Sequence, residues 1–294
     1  MATLRELKGR IGSVASSEKI TGVMRMTSSA KMHKAEQMLK QLVPFRSQVE
    51  TIIGNLLSAD AAFSSPLLDE REVKTATVVV WGSDDGLCGA YNVNIFKQLV
   101  ALLGKMRAEL GDSAEIRVIP VGAKIAKAAR KLTLDRVTVQ TAEGVTAKSD
   151  DTVVKEFTRT LVDSFLAGET DRVELLYMNF KSVSRQRPRV DTLMPVTPSA
   201  LGASDDEARS ARPYIFEPDA NTIFNRVLPL FILSVMQEVF CENRASEQAA
   251  RVMAMQSAND NAKKLLDQLR LEYNKLRQQS ITTELLDIVG GQVR

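Results

Sequence analysis

The two ends of this 294-residue chain carry helical hydrophobic periods that are too long to fit inside one globule. From Leu4 to about Leu57, and again from Asn221 to about Val289, apolar residues recur at the three- and four-residue spacing of an α-helix. At 1.5 Å per residue these helices would be about 80 and 100 Å long, whereas a compact chain of this length would be only about 50 Å across. The two helices can bury their apolar stripes only against each other, which predicts an antiparallel two-stranded coil that projects from a central domain.

Few residues interrupt these two periods. Pro44 is expected to kink the first helix or to break it briefly near Leu42, because proline has no amide hydrogen to donate. Pro229 interrupts the second period near its start, and the pair Gly290-Gly291 is a typical stop signal at its end.

The middle of the chain, residues 74–196, alternates short β-branched runs with helical patterns. The predicted strands are 75–81, 116–122, 136–140 and 173–180, and the predicted helices are 93–110, 124–132 and 152–166. Asn92 is expected to cap the first of these helices. Strands that alternate with helices form parallel βαβ units, so this segment predicts a Rossmann-like, three-layer α/β domain.

The predicted fold class is therefore α/β, with a long antiparallel coiled coil added to the Rossmann-like domain. The sequence divides into an N-terminal coiled-coil helix (1–60), the α/β domain (70–200), a linker and foot segment (201–219) and a C-terminal coiled-coil helix (220–294).

Composition excludes several classes of function. A net charge of +3 argues against a chain built chiefly to bind nucleic acid. Two cysteines cannot form a disulfide framework, and a single histidine, His33, removes the common zinc sites. No stretch reaches 18 consecutive apolar residues, so no membrane span is expected, and the N-terminus shows no apolar segment typical of a secretory signal.

The loop Gly82–Gly89 follows the first predicted strand, which is the usual place for a ligand loop in an α/β domain. It contains no lysine that could reach a phosphate, and Asp84 and Asp85 would repel one. A tight Asp-Gly turn is favoured over a phosphate site. Cys88 lacks the histidine partner of a catalytic thiol, so no catalytic, cofactor or metal site is expected.

Several stretches of this sequence resemble the gamma subunit of the F-type ATP synthase, the central stalk of a rotary motor. They are SEKITGVMRMTSSAKM (17–32), GLCGAYN (86–92), SEQAARVMAMQSANDNA (246–262), YNKLRQQSITTEL (273–285) and IVGG (288–291). They occur in order along the whole chain, and the C-terminal stretches are the most specific. Ala90 stands where the family usually has a second glycine, and the cysteine-bearing insertion of chloroplast forms is absent.

The resemblance implies a non-catalytic rotor shaft without cofactors. Its coil would thread a ring of three alpha and three beta subunits, and its foot would stand on the membrane ring of c subunits, with the epsilon subunit as a further partner. Rotation driven by ion flow, here expected to be of protons, would be coupled to ATP synthesis. Because the family pattern starts almost at Met1 without a transit peptide, the cytoplasmic face of a bacterial cell membrane is the expected location.

The same resemblance suggests two groups of contact residues. Residues expected to meet the alpha and beta subunits are Met24, Arg251, Gln278, Thr282 and Glu284. Residues expected to meet the c ring are Tyr214, Phe216 and Glu217. For the foot, an alternative is that Glu217 and Asp219 only cap the helix that follows.

Two other classes are compatible with the residues alone. A coiled-coil scaffold with an α/β head would show the same periods. A nucleotide-dependent enzyme could use the α/β domain, although the G-x-x-x-x-G-K-[ST] and G-x-G-x-x-G fingerprints are both missing. Identification of the proteins that purify with the chain would separate these classes from the rotor shaft.

Overall fold

The computed structural model describes residues 3–57, 63–142, 144–197 and 216–291. Two helices dominate it, α1 (Leu4–Leu57) and α5 (Ala220–Gly291). Between them lies a five-stranded sheet with three shorter helices, α2 (Tyr91–Leu110), α3 (Ala123–Ala129) and α4 (Asp151–Leu166).

The sheet is mainly parallel. Its strands are β1 (Thr75–Trp81), β2 (Glu115–Val121), β3 (Val137–Val139), β4 (Arg172–Ser182) and β5 (Arg185–Met194), in the spatial order β3-β2-β1-β4-β5. The first four are parallel, and β5 returns antiparallel to β4 at the edge. Six of the seven residues of the central strand β1 are buried, because helices cover both faces of the sheet.

Helices cover the two faces unequally. One face packs against α2 and α3, with Ile95, Leu99 and Ile125 fully buried. The other face packs against α4 and against the parts of α1 and α5 nearest the sheet. The long helices are therefore part of the core of the domain as well as part of the coil. The predicted fold class, a coiled coil combined with a three-layer α/β domain, is confirmed.

By length and composition alone, α5 could cross a membrane, since it contains an 18-residue window with a mean hydropathy of 1.4. The same helix contributes Phe224, Leu228, Phe231 and Ile232 to the core beside the sheet. Packing inside the protein accounts for these apolar side chains.

The coil is antiparallel. Polar contacts join α1 to α5 along the coil. At one end, Arg46 Nη1 donates to Glu238 Oε2 at 2.6 Å. At the other, Asn259 Nδ2 donates to the carbonyl oxygen of Glu18 at 2.7 Å. Extrapolated along this register from the Glu18–Asn259 contact, Leu4 lies opposite about residue 273 of α5. The last 18 or so residues of α5, about 27 Å of helix, therefore extend beyond the beginning of α1. We call residues 277–291 the α5 tip.

Three sequence-based expectations need correction. The helix α1 continues through Pro44, so the interruption expected near Leu42 does not occur. Asn92 lies inside the first turn of α2, whose N-cap is Ala90, and its side chain bonds to Ser83 instead of capping the helix. Strand β5 was not predicted, because its basic residues and Pro188 do not give the apolar run of a buried strand.

Candidate functional site

Four separate parts of the sequence line one groove, of about 320 Å³, where the coil leaves the sheet. Its lining comprises Met24, Thr27, Ser28 and Lys31 of α1, Asp85, Gly86 and Leu87 of the loop after β1, Ala147 and Lys148, and Arg244, Glu247, Gln248 and Arg251 of α5. These segments include three of the stretches that carried the family resemblance. The fold therefore assembles them into one place, the junction of the coil and the sheet.

The loop after β1 is shaped by close packing. A Cβ atom at Gly82 would lie 2.5 Å from Ile125 Cγ2, so only glycine fits there without a shift of the neighbouring chain. Leu87 adopts a left-handed backbone conformation, with φ of 62°, and its side chain is 62% exposed at the rim of the groove. The loop thus presents an apolar side chain outward.

Both carboxylates of this loop bind other parts of the chain. Asp84 Oδ1 accepts a hydrogen bond from the backbone nitrogen of Ala123 at 3.0 Å, at the beginning of α3. Asp85 forms an ion pair of 2.7 Å with Lys148, whose side-chain hydrogen bond lowers the pKa of the Asp85 carboxyl. The loop after β1 therefore carries two anionic groups, which would repel a phosphate.

A buried ion pair fastens the loop to the coil. Arg251 Nη2 lies 2.6 Å from Glu247 Oε1, one turn earlier on α5, and the two side chains are only 7% and 5% exposed. The guanidinium also donates to the carbonyl oxygen of Gly86 at 3.3 Å. Burial raises the pKa of the Glu247 carboxyl, while the charge of Arg251 opposes that rise. The pair therefore joins α5 to the loop through charge-assisted hydrogen bonds.

A second polar contact lies deeper in the junction. Asn243 accepts a hydrogen bond from the Tyr91 hydroxyl at 2.7 Å and donates to the carbonyl oxygen of Gly82 at 3.1 Å. Ser246 donates to the carbonyl oxygen of Met178 at 2.9 Å. Burial raises the pKa of the Tyr91 hydroxyl, which stays protonated and available as a donor. Asn243 thus connects α5 to α2 and to the loop after β1.

Sequence reasoning did not single out Asn243 or Glu247 for any role. The available signal was an asparagine placed on the apolar face of a helix, where an uncompensated amide would be costly. The partners that satisfy Asn243 lie 152 and 161 residues away along the chain, so only the fold reveals them.

Cys88 is buried beside this network. Asn92 Nδ2 lies 3.3 Å from its sulfur, and burial raises the pKa of the thiol, which disfavours the reactive thiolate. Within the described part of the chain, no group of three or more His, Cys, Asp or Glu residues could hold a metal ion.

The residues expected to meet the alpha and beta subunits do not form one cluster. Met24 is half-buried and Arg251 buried at the junction groove. Gln278, Thr282 and Glu284 are exposed on the α5 tip, about 40 Å or more further along the helix.

At the opposite end, Tyr214 lies outside the described residues. Phe216 is half-buried against the core, whereas Glu217 is exposed and makes no hydrogen bond to the described residues. Asp219 accepts hydrogen bonds from the backbone nitrogen of Thr222 at 2.8 Å and from its hydroxyl at 2.6 Å. These bonds lower the pKa of the Asp219 carboxyl. Asp219 therefore caps α5, and Glu217 is left facing solvent.

Comparison with known proteins gives consistent matches over the full length. A family model described as ATP synthase matches residues 3–293. The ATP synthase gamma chain of Phocaeicola vulgatus is 39% identical over 297 residues, and that of Bacteroides thetaiotaomicron is 37% identical over 302 residues. Each alignment covers 100% of both chains.

Solved structures show the same fold. A chain in the cryo-electron microscopy structure of Euglena gracilis mitochondrial ATP synthase, OSCP/F1/c-ring in rotational state 3, aligns with a TM-score of 0.62 at 20% sequence identity. The alignment covers 99% of this chain and 93% of that one. The rotor of the same enzyme in rotational state 1 aligns with a TM-score of 0.58 at 18% identity.

Proposed function

Since the chain belongs to the ATP synthase gamma chain family, we propose that it turns as the central shaft of a bacterial F-type ATP synthase without catalysing a reaction itself. Three alpha and three beta subunits surround the coil, and the foot stands on the c ring with the epsilon subunit beside it. The complex lies at the cytoplasmic face of the cell membrane and couples ion flow to ATP synthesis. The chain itself binds other polypeptides, and it binds neither nucleic acid nor a cofactor.

The α5 tip is the single observation that carries this proposal. Its apolar side chains are 44% to 66% exposed, and α1 does not reach far enough to cover them: Ile281, Leu285, Leu286, Ile288 and Val289. A helix with this much unpartnered apolar surface is stabilised when another protein surrounds it. The exposed polar residues Gln278, Thr282 and Glu284 occur on the same tip. They suit a bearing, by which we mean a surface of the surrounding alpha and beta subunits that holds the tip without fixing one orientation.

The asymmetry of the shaft supports a mechanical role. The α/β domain packs on one side of the coil, and the tip is a single helix, so a rotating shaft presents different surfaces to each of three surrounding subunits in turn. A surface that differs with angle can favour a different hinge position in each subunit, which is how rotation biases their nucleotide-binding states.

The proposal is tested on the purified chain and on the complex. We expect the isolated chain neither to bind ATP with micromolar affinity nor to hydrolyse it, because the loop after β1 carries two carboxylates that would repel the phosphates. Isothermal titration with ATP and a phosphate-release assay check this. The full chain carrying an affinity tag should co-purify from its native membrane with alpha, beta, epsilon and c subunits. Stoichiometric ATP binding by the isolated chain, or recovery of the tagged chain without those subunits, would refute the proposal that the chain is the shaft.

Gln278 offers a test of the bearing. The variant Gln278→Leu should lower coupled ATP synthesis several-fold while leaving assembly intact, because an exposed tip residue contributes little to the fold of the free chain. Synthesis by inverted vesicles and subunit stoichiometry are the measurements. Leu286→Gln on the same tip tests the apolar contact separately. Unchanged synthesis with Gln278→Leu would remove this residue from the bearing. Arg251→Leu is a poorer test, since its burial predicts a loss of stability as well.

The foot is tested at Glu217. Because Asp219 performs the capping, we expect the exposed Glu217 to meet the polar loop of a c subunit. In a complex with a cysteine in that loop, the variant Glu217→Cys should form a disulfide that stops rotation and is reversed by reductant. Asp219→Cys is the matched control two residues away. If neither position cross-links efficiently, the c ring contacts another part of the chain.

A further inference from the structure

The β4–β5 hairpin carries a concentrated positive charge that the shaft function does not explain. Residues 181–189 contain four basic residues and no acidic residue: Lys181, Arg185, Arg187 and Arg189. All four are exposed at the edge of the sheet. A run of nine residues with a charge of +4 stands out in a chain whose total is +3.

The hairpin holds these charges in a regular array. Gln186 Nε2 donates to the carbonyl oxygens of Ser182 at 3.1 Å and of Val183 at 2.5 Å, which closes the turn. Arg185, Arg187 and Arg189 alternate along β5, so they point to the same side of the sheet with a spacing of about 7 Å.

The described residues neutralise little of this charge. Arg189 Nε pairs with Asp191 Oδ1 at 2.8 Å. The carboxylate of Glu242, on α5, interacts electrostatically with Lys181 and Arg189, but it accepts its 2.6 Å hydrogen bond from Asn179. The side chains of Arg185 and Arg187 make no hydrogen bond or ion pair to any described residue. At least two guanidinium groups are therefore available to a partner.

Protection of the sheet edge is an insufficient explanation for this pattern. Charged residues and proline on an edge strand prevent pairing with other strands, and Pro188 contributes to this. Such protection needs no particular spacing and no particular sign of charge. Three arginines at alternate positions instead match a linear array of anionic groups, since guanidinium groups bind carboxylates and phosphates in a bidentate manner.

The position of the hairpin favours a polypeptide over a membrane as the source of those anions. The middle of β4 bonds to α5 at Asn243 and Ser246, more than 20 residues beyond Ala220, where α5 begins beside the foot. Along the helix that separation is about 33 Å, or about four Debye lengths at physiological salt. Charges on lipid headgroups below the foot are screened over this distance.

We propose that Arg185, Arg187 and Arg189 form a docking surface for an acidic segment of another polypeptide in the assembled ATP synthase. The segment would carry carboxylates about 7 Å apart, as alternate residues of an extended chain do. This inference rests on the proposed function, because the assembled complex provides the partner.

Zero-length cross-linking identifies the partner directly. The variant Arg187→Lys keeps the charge and supplies an amine that carbodiimide joins to a carboxylate in contact with it. In the assembled complex we expect inter-subunit links from position 187 to Asp or Glu residues of one segment, found by mass spectrometry. Lys127 on α3, exposed on the other face of the sheet, is the internal control and should give few such links.

Charge reversal measures the strength of the contact. The double variant Arg185→Glu/Arg187→Glu should weaken retention of the chain in the complex about threefold to thirtyfold, with a loss that shrinks as salt rises. Lys127→Glu/Lys131→Glu makes the same change of charge on α3 and in the turn after it, and should have less than a twofold effect.

The outcomes separate this inference from the shaft function. Links from position 187 together with a selective effect of the hairpin reversal support the docking surface. Absence of those links, or equal effects of the two reversals, contradicts it even when the chain assembles normally. Binding of the free chain to phosphatidylglycerol vesicles that only the hairpin reversal abolishes would assign the surface to lipid instead. Failure of the unmodified chain to assemble at all would contradict the shaft function.

Discussion

Replacing Arg251 by methionine is expected to lower the free energy of unfolding of the isolated chain by about 3–5 kcal/mol. The substitution keeps the volume of the side chain but leaves the Glu247 carboxylate buried without its 2.6 Å partner, and the loop at Gly86 loses a donor. Urea unfolding followed by circular dichroism measures the effect. The double variant Glu247→Gln/Arg251→Met restores neutrality and should recover a large part of the loss.

The stability of the single variant Arg251→Met should also depend on pH in a characteristic way. Burial raises the pKa of Glu247 above its ordinary value, so the folded state holds the proton more tightly than the unfolded state does. The stability contributed by this group is therefore complete below the ordinary glutamate pKa, and is lost as pH rises through the folded pKa. Without the charge of Arg251, the pKa of the Glu247 carboxyl rises further. The stability of the variant therefore continues to fall up to a higher pH.

The difference in stability between the original chain and Arg251→Met should accordingly narrow towards pH 4 and widen towards pH 8. The Glu247→Gln/Arg251→Met variant, which has no carboxyl at this position, should not show that narrowing. A difference that is independent of pH would mean that Glu247 is not the group left uncompensated.

Replacing Phe240 by alanine is the second large change that we expect, at about 3–5 kcal/mol. Phe240 is 2% exposed, and its ring lies 5.5 Å from that of Trp81 at the end of β1. Its removal leaves a cavity where α5 packs on the sheet, because Trp81 also packs edge-on against Phe157 and cannot follow the lost ring. The urea midpoint should fall by about 1 M, if the slope of the transition is unchanged.

Phe45→Ala provides the control for size and type. Phe45 lies on α1 and is 47% exposed, so the same truncation should cost less than about 1 kcal/mol in the isolated chain. Trp81 is the only tryptophan, and its fluorescence reports directly on the packing of α5 against the sheet. A Phe240→Ala variant as stable as Phe45→Ala would show that the sheet holds α5 by other contacts.

Long-range periodicity made the helices and the parallel strands predictable. The apolar spacing of α1 and α5 persists over more than 50 residues, so proline at positions 44 and 229 did not obscure it. The β-branched run of β1 is equally clear. β5 has no such signal, because basic side chains project from most of its exposed positions and its stability comes from pairing with β4.

The candidate site was predictable only in part. The family resemblance selected Arg251 as a residue that meets the alpha and beta subunits. Its burial depends on the carbonyl oxygen of Gly86, 165 residues away, which only the packed fold brings within reach. The role of Asn243 was hidden for the same reason. Exposed tip residues such as Gln278 were easier to interpret, because their environment in the free chain is set by the helix alone.

The antiparallel pairing of α1 with α5 also constrains how the chain can fold during synthesis. The contact between Glu18 and Asn259 joins residues 241 positions apart, so α1 leaves the ribosome long before its partner is made. At 5–20 residues per second that delay is about 10–50 s. Throughout it, the apolar stripe of α1 has no α5 to cover it, and β1 to β4 lack one of the helices that close their face. The packing of α1 therefore has to wait until α5 has been made, and its apolar stripe stays uncovered while the α/β domain is synthesised.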